Sequence, residues 1–194
     1  EVIQARIAER LDVSRPAVSE MVKRMEAAGL VEVDDGRIRL TGSGRKLGER
    51  VVRRHRLAER FLTDVLHLSW SEAHHEAGRW EHVISESVET ALDQLLGNPT
   101  TCPHGNPIPG SAYHAPETSA LSLVAVGGSF VISRITEELE FEPGLLEVLE
   151  ESGLQPGRNG TVTAASPDGT MTVSIGERSV GVGAFASERI LVTA

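Results

Sequence analysis

Cysteine is nearly absent from this chain: Cys102 stands alone among 194 residues, which excludes an intrachain disulfide and fits a cytoplasmic protein. Aromatic residues make up only 4 %, few for a regulator gated by a small organic ligand in an aromatic pocket. No apolar run approaches the ~18 residues of a membrane span, and no signal peptide is visible in the sequence. Nucleophile motifs and phosphate-binding glycine loops are missing too, which argues against an enzyme.

Charge is plentiful but uneven. The net charge of −9 hides a basic first third, since residues 1–60 hold 14 Lys/Arg against 10 Asp/Glu, whereas residues 61–194 hold 5 against 18. A basic segment joined to an acidic remainder suits a DNA reader with a separate sensing and dimerising part.

The basic third has a legible pattern. Residues 3–11 read as a helix with Ile3, Ile7 and Leu11 in one stripe. Asp12-Val13 makes a turn, Ser14 is an N-cap, and Pro16 sits where a missing N–H costs little. The second helix carries Val18, Met21, Val22 and Met25 towards a core and ends at Gly29. LVEVDDGRIRLT alternates around Asp35-Gly36, a hairpin signal. Helix, turn, helix and hairpin make a winged helix-turn-helix, residues 1–50. Such a fold needs a further helix over the Ile3–Leu11 stripe, so a first helix is expected to precede this sequence.

The second helix would enter the major groove. Ser14, Arg15, Pro16, Ala17, Ser19 and Glu20 would lie near the bases, with Pro16 and Ala17 able to touch thymine methyls and Glu20 suited to a cytosine amine. Lys23, Arg24, Arg37 and Arg39 would meet phosphates.

Residues 51–110 read as helices. A long one starts near Thr41, another follows Ser71 as N-cap, and SESVETALDQLLG is a third with Val88, Leu92, Leu95 and Leu96 apolar. His55 and Glu59 stand four apart on one helical face, and His74 and Glu81 seven apart. Imidazole with carboxylate suits Fe, Mn, Zn or Co better than Mg or Ca. His74 adjoins His75, and either could be the ligand. Cys102 and His104 in CPHG offer only two donors in a proline-rich turn and read as a structural loop. Residues 111–127 read as a linker. Residues 128–194 hold five short strand-like runs (VISRI, TVTAA, MTVSIG, SVGVGA, RILVTA) and one helix in FEPGLLEVLEESG, a small barrel of the SH3 type. The whole is α+β.

Taken in order, IAERLDVSRPAVSEMVKRMEAAGLV, RRHRLAERFLTDVL, HHEAGRWEHVISESVE and GNPIPG resemble the DtxR/IdeR/MntR family of metal-dependent transcriptional repressors, with HRLAER and RWEH nearer its iron-sensing branch. The resemblance implies a cytoplasmic dimer, or two dimers, on a palindromic double-stranded operator, loaded with Fe(II) or Mn(II), for which Co, Ni or Zn would substitute in vitro. It implies an ancillary site of His55, Glu59, His74 and Glu142, where a further amide ligand is replaced by Leu145. It implies a primary, activating site of Glu81 and His82. Where relatives have Cys or an acidic residue this chain has Gly78, which offers only a backbone carbonyl; Glu76 or His75 could substitute. A metalloenzyme, a ligand-gated regulator and a DNA binder with a decayed metal site are the competing readings.

Overall fold

The computed structural model describes residues 2–193. The chain forms two compact units, one up to Val51 and one from Val52 onward, and each is described by itself.

In the first unit the short-range signals act as the residue types dictate. Helix α1 (Gln4–Leu11) ends at Asp12, which takes a left-handed conformation. Helix α2 (Arg15–Ala27) starts from Ser14, whose hydroxyl accepts from the Ala17 amide, with proline in its first turn. Gly29 follows its end at φ 68°. Strands β1 (Val31–Asp34) and β2 (Arg37–Leu40) pair antiparallel around Asp35 and Gly36. Both turn residues have positive φ, 47° and 74°, the geometry that matches the turn to the twist of the strands. Ala8, Val18, Val22 and Val31 make the small core, with Met25 packed against it. Met21, expected in that core, is exposed; three residues past Val18, it falls on the flank of the buried arc rather than its centre.

Helix α3 (Gly42–Asp64) begins in the first unit, where the Thr41 hydroxyl accepts from the Gly44 amide, and continues through the second. Helix α4 (Trp70–Trp80) is capped by Ser69, not Ser71. Ser69 has Glu72 three residues on, and the two exchange reciprocal bonds as a capping box; Ser71 lacks that partner. Helix α5 (Glu86–Leu95) follows, capped by Ser85. Ala58, Leu62, Ala73, Ala77, Ile84 and Leu92 form the helical core.

The acidic end is a six-stranded antiparallel sheet in the order β3-β8-β4-β5-β6-β7. The strands are β3 (Ser119–Ala120), β4 (Ser129–Ile135), β5 (Asn159–Ala165), β6 (Met171–Ile175), β7 (Arg178–Val182) and β8 (Ile190–Thr193). Register shifts in β4 and β5 bend the sheet about one core. Short helices α6 (Glu137–Glu140), α7 (Leu145–Glu151) and α8 (Ala184–Ser187) interrupt the strands. Strand β3 and the fully buried Leu121 fall in the stretch read from sequence as linker; the two-residue β3 is too short to show a period.

Trp70 joins helices to sheet. Its ring lies in the sheet's core, and its amide donates to Glu150 of α7 at 2.9 Å. The loop after α5 does the same. The Cys102 amide donates to Asn106 O at 2.8 Å, His104 O accepts from the Ile135 amide at the end of β4, and Asn106 Nδ2 donates to Ile135 O. Gly105 makes this docking possible: at φ 84°, a Cβ there would stand 2.3 Å from Ser133 O.

Gly105→Ala is therefore expected to lower the unfolding free energy from denaturant titration by well more than the ~1–2 kcal/mol of left-handed strain alone. Gly110→Ala is the control, with φ 75° but nothing within 4 Å of its Cβ. Equal losses in the two variants would contradict a close-packed loop.

Candidate metal centre

Four segments of the second unit converge on one carboxylate. Glu59, on the buried face of α3 and 1 % exposed, receives His55 from one turn earlier, with Nε2 3.1 Å from Glu59 Oε1. His74 of α4 places Nδ1 2.8 Å from the same oxygen, and His55 Nε2 and His74 Nδ1 are 3.3 Å apart. From the loop, His104 Nδ1 approaches the same oxygen at 3.7 Å and lies 3.1 Å from Glu140 Oε1 at the end of α6. Cys102 Sγ is 3.9 Å from His104 Nδ1. Asn106 Nδ2 donates to Glu140 at 2.6 Å and holds it there.

The donor set fits a transition metal. Bonds of ~2.1 Å put adjacent ligands about 3 Å apart, and the triangle of His55, His74 and Glu59 has edges of 2.8, 3.1 and 3.3 Å. Glu59, Cys102 and His104 make a second buried group whose donor atoms lie within 4.8 Å of one another. Glu59 Oε2 and His104 Nε2 are buried with no hydrogen-bond partner, which is costly unless something else engages them.

Burial and charge set the protons. Burial alone would lower His55, but hydrogen bonding and charge from Glu59 and Glu81 push it up to about 9. Burial would raise Glu59, yet hydrogen bonds from His55 and His74 and the charge of His104 hold it far below the carboxylate range. Burial also opposes a charged His104, and Glu140 and Glu59 outweigh it. Burial, then the charges of Glu59 and Glu140, push the Cys102 thiol up. Without a cation, protonated imidazoles thus balance the buried carboxylates.

The sequence-predicted residues divide. His55, Glu59 and His74 come together as one group. Glu142 is exposed just beyond α6, and Glu140 stands at the cluster instead. Gly78 lies within α4, where a Cβ would meet nothing within 4 Å. Glu81 turns inward, Oε2 2.7 Å from His55 Nδ1, while His82 is 66 % exposed with Nε2 3.2 Å from Glu81 Oε1. His75 is exposed. Cys102, His104 and Glu140 were not singled out as ligands. Only the pairing of two soft donors in CPHG hinted at them, and their partners are remote in sequence. In the first unit, Ser14, Arg15, Pro16, Ala17 and Glu20 are exposed at the start of α2 and Ser19 half-buried, and Lys23, Arg24, Arg37 and Arg39 are exposed.

Known proteins give the context. Residues 2–37 match the family model for the iron-dependent repressor N-terminal DNA-binding domain, residues 41–110 that for its metal-binding and dimerisation domain, and residues 120–194 that for the FeoA domain. The iron-dependent repressor IdeR of Mycobacterium tuberculosis H37Rv is 44 % identical over 189 residues, spanning 89 % of this chain and 80 % of that protein. The diphtheria toxin repressor of Corynebacterium diphtheriae is 51 % identical over 109 residues, 56 % of this chain and 48 % of that one. A manganese-dependent transcriptional repressor in complex with manganese superposes with a TM-score of 0.85 at 32 % identity, covering 100 % of this chain and 91 % of that one. The repressor ScaR with bound Cd2+ gives 0.79 at 29 %, covering 99 % and 91 %.

A pH dependence follows. His55 is raised from an ordinary 6.5 to about 9, so its stabilisation is complete below 6.5 and is lost as pH climbs through 9. Glu59 is depressed from 4.5, so its contribution is present above 4.5 and is lost only as pH falls below that. The metal-free protein should lose Tm between pH 7 and 9.5. An ion held by His55 would have to displace its proton, so affinity for such an ion should rise over the same range. Thermal melts and metal titrations across pH check this; affinity independent of pH would contradict it.

Proposed function

The chain belongs to the iron-dependent repressor family, and from that premise we propose which of its residues sense the metal and which read the DNA. The protein is a metal-dependent, DNA-binding transcriptional repressor that dimerises and responds to iron or manganese; it is not an enzyme.

Our reading puts the sensing ion at Glu59. The observation that carries it is a buried carboxylate met by three imidazoles from separate segments, with one oxygen left unpartnered. His55 and His74 would hold the ion on one side, and Cys102, His104 and Glu140 would supply donors on the other. Glu140 takes the role that the resemblance gave to Glu142. Glu81 and His82, with Gly78 able to add only a carbonyl, would make a weaker, exposed site. When bound, the ion supplies positive charge that cross-links these segments. His55 and His104 give up protons to accept it, and Asn106 keeps Glu140 aimed inward.

Imidazole and carboxylate serve Fe(II) and Mn(II) alike, and a thiolate from Cys102 would favour softer ions; Co, Ni and Zn would bind in vitro. Metal favours the operator-binding state by its differential affinity for that state. The operator would be a palindrome matching the dimer's two-fold symmetry, with two dimers per operator as the finer expectation. Exposed Val83, Val88 and Leu95 support a dimer contact through the helical region. Ser14, Arg15, Pro16, Ala17, Ser19 and Glu20 would face bases, and Lys23, Arg24, Arg37 and Arg39 phosphates. Among the described residues no helix is long and apolar enough to cross a membrane, which is compatible with work on DNA in the cytoplasm.

Anaerobic selection of genomic fragments with Fe(II), Mn(II) or chelator tests this. A palindromic site should be recovered only with metal, the better metal naming the sensor, and Glu59→Ala should lose the metal response. Equal recovery with chelator would contradict the reading. On that site, Lys23→Ala should weaken binding uniformly across sequence variants and reduce the salt slope by about 1; an unchanged slope would remove Lys23 from the phosphate contacts.

A further inference from the structure

We propose that Glu81 is a positioning residue for the buried cluster: its carboxylate fixes the direction and tautomer of His55 and ties the exposed Glu81–His82 pair to the buried donors. The inference rests on the reading of the Glu59 cluster as a metal site.

His55 uses both ring nitrogens. Nε2 faces Glu59 Oε1 and His74 Nδ1 at 3.1 and 3.3 Å, while Nδ1 lies 2.7 Å from Glu81 Oε2. A ring whose Nδ1–H is held by a carboxylate must present the Nε2 lone pair to a metal, and the negative partner makes that lone pair more basic. Glu81 can hold this position because its backbone is fixed. Its amide donates to Ala77 O, and the next turn is pinned by the Val83 and Ile84 amides, both donating to Trp80 O. Ala77 and Ile84 are themselves buried in the helical core.

The other oxygen faces outward. Glu81 Oε1 is 3.2 Å from His82 Nε2. A cation taken by Glu81 and His82 therefore acts on the same carboxylate that holds His55, and occupancy at either place changes affinity at the other. By linkage the effect is reciprocal. Gly78 sharpens the dependence, since it adds no side chain that could relieve Glu81 of either task.

Anaerobic Co(II) titration, read by ligand-field absorption, measures the cluster directly. Glu81→Ala should weaken its affinity by roughly 10–100-fold, as loss of a carboxylate behind a ligating histidine does. Glu81→Gln, whose amide oxygen still accepts from Nδ1–H, should restore most of it. Long-range 1H–15N spectra of the Zn(II)-loaded protein should show His55 with the proton on Nδ1 in wild type and in Glu81→Gln, and lose that preference in Glu81→Ala. Wild-type affinity and tautomer in Glu81→Ala would overturn the proposal, as would a Gln variant no better than Ala. If Glu59→Ala leaves Co(II) binding unchanged, the cluster is not the metal site and both readings fall.

Discussion

A carboxylate almost wholly removed from water is the constraint on which the second unit depends. An isolated charge in such a place costs several kcal/mol, and Glu59 does not escape by taking up a proton. It stays ionised because histidines from α3, α4 and the loop after α5 surround one of its oxygens. The protons of His55 and His104, both held above the ordinary imidazole range, neutralise it when no ion is present. In the proposed reading a divalent cation would do the same work and would also meet the oxygen that has no hydrogen-bond partner. The site is therefore a junction between segments, and what fills it decides how firmly those segments are joined.

The rest of the unit serves that junction. Alanines at 58, 73 and 77 let α3 and α4 approach closely enough for His55, Glu59 and His74 to meet. The loop reaches the same point from the other direction, because Gly105 lies directly against β4 and Asn106 bridges Ile135 O to Glu140. Trp70 packs its ring edge-on against His104, with centroids 4.6 Å apart, and buries itself in the core of the sheet. The C-terminal sheet is thus bound to the histidine–carboxylate cluster through a ring contact, a carboxylate and a backbone hydrogen bond. A regulator that must report metal occupancy gains from this arrangement, since removing the ion leaves several segments with unbalanced charge at once.

Sequence reasoning reached the features whose causes are local. The four-residue spacing of His55 and Glu59, the Ser14 cap, the Asp35-Gly36 turn and the runs that became β4 to β8 all depend on neighbours in the chain. It did less well where the cause is remote. Cys102 and His104 looked like two donors in a turn because Glu59 and Glu140 lie some 40 residues away on either side, and only the docking of Gly105 on β4 brings them together. Glu140 and Glu142 could not be told apart in the sequence: α6 ends at Glu140, which Asn106 holds at the cluster, and Glu142 lies exposed beyond it. Pairing Glu81 with His82 as co-ligands did not anticipate that Glu81 would turn towards His55.

The central claim is that the ion sits against Glu59. Anomalous diffraction from crystals grown anaerobically with Mn(II), with data on both sides of the manganese edge, tests it most directly. The account predicts a strong peak in the space bounded by Glu59, His55 and His74. Peaks confined to the exposed Glu81–His82 pair, with none at Glu59, would contradict it.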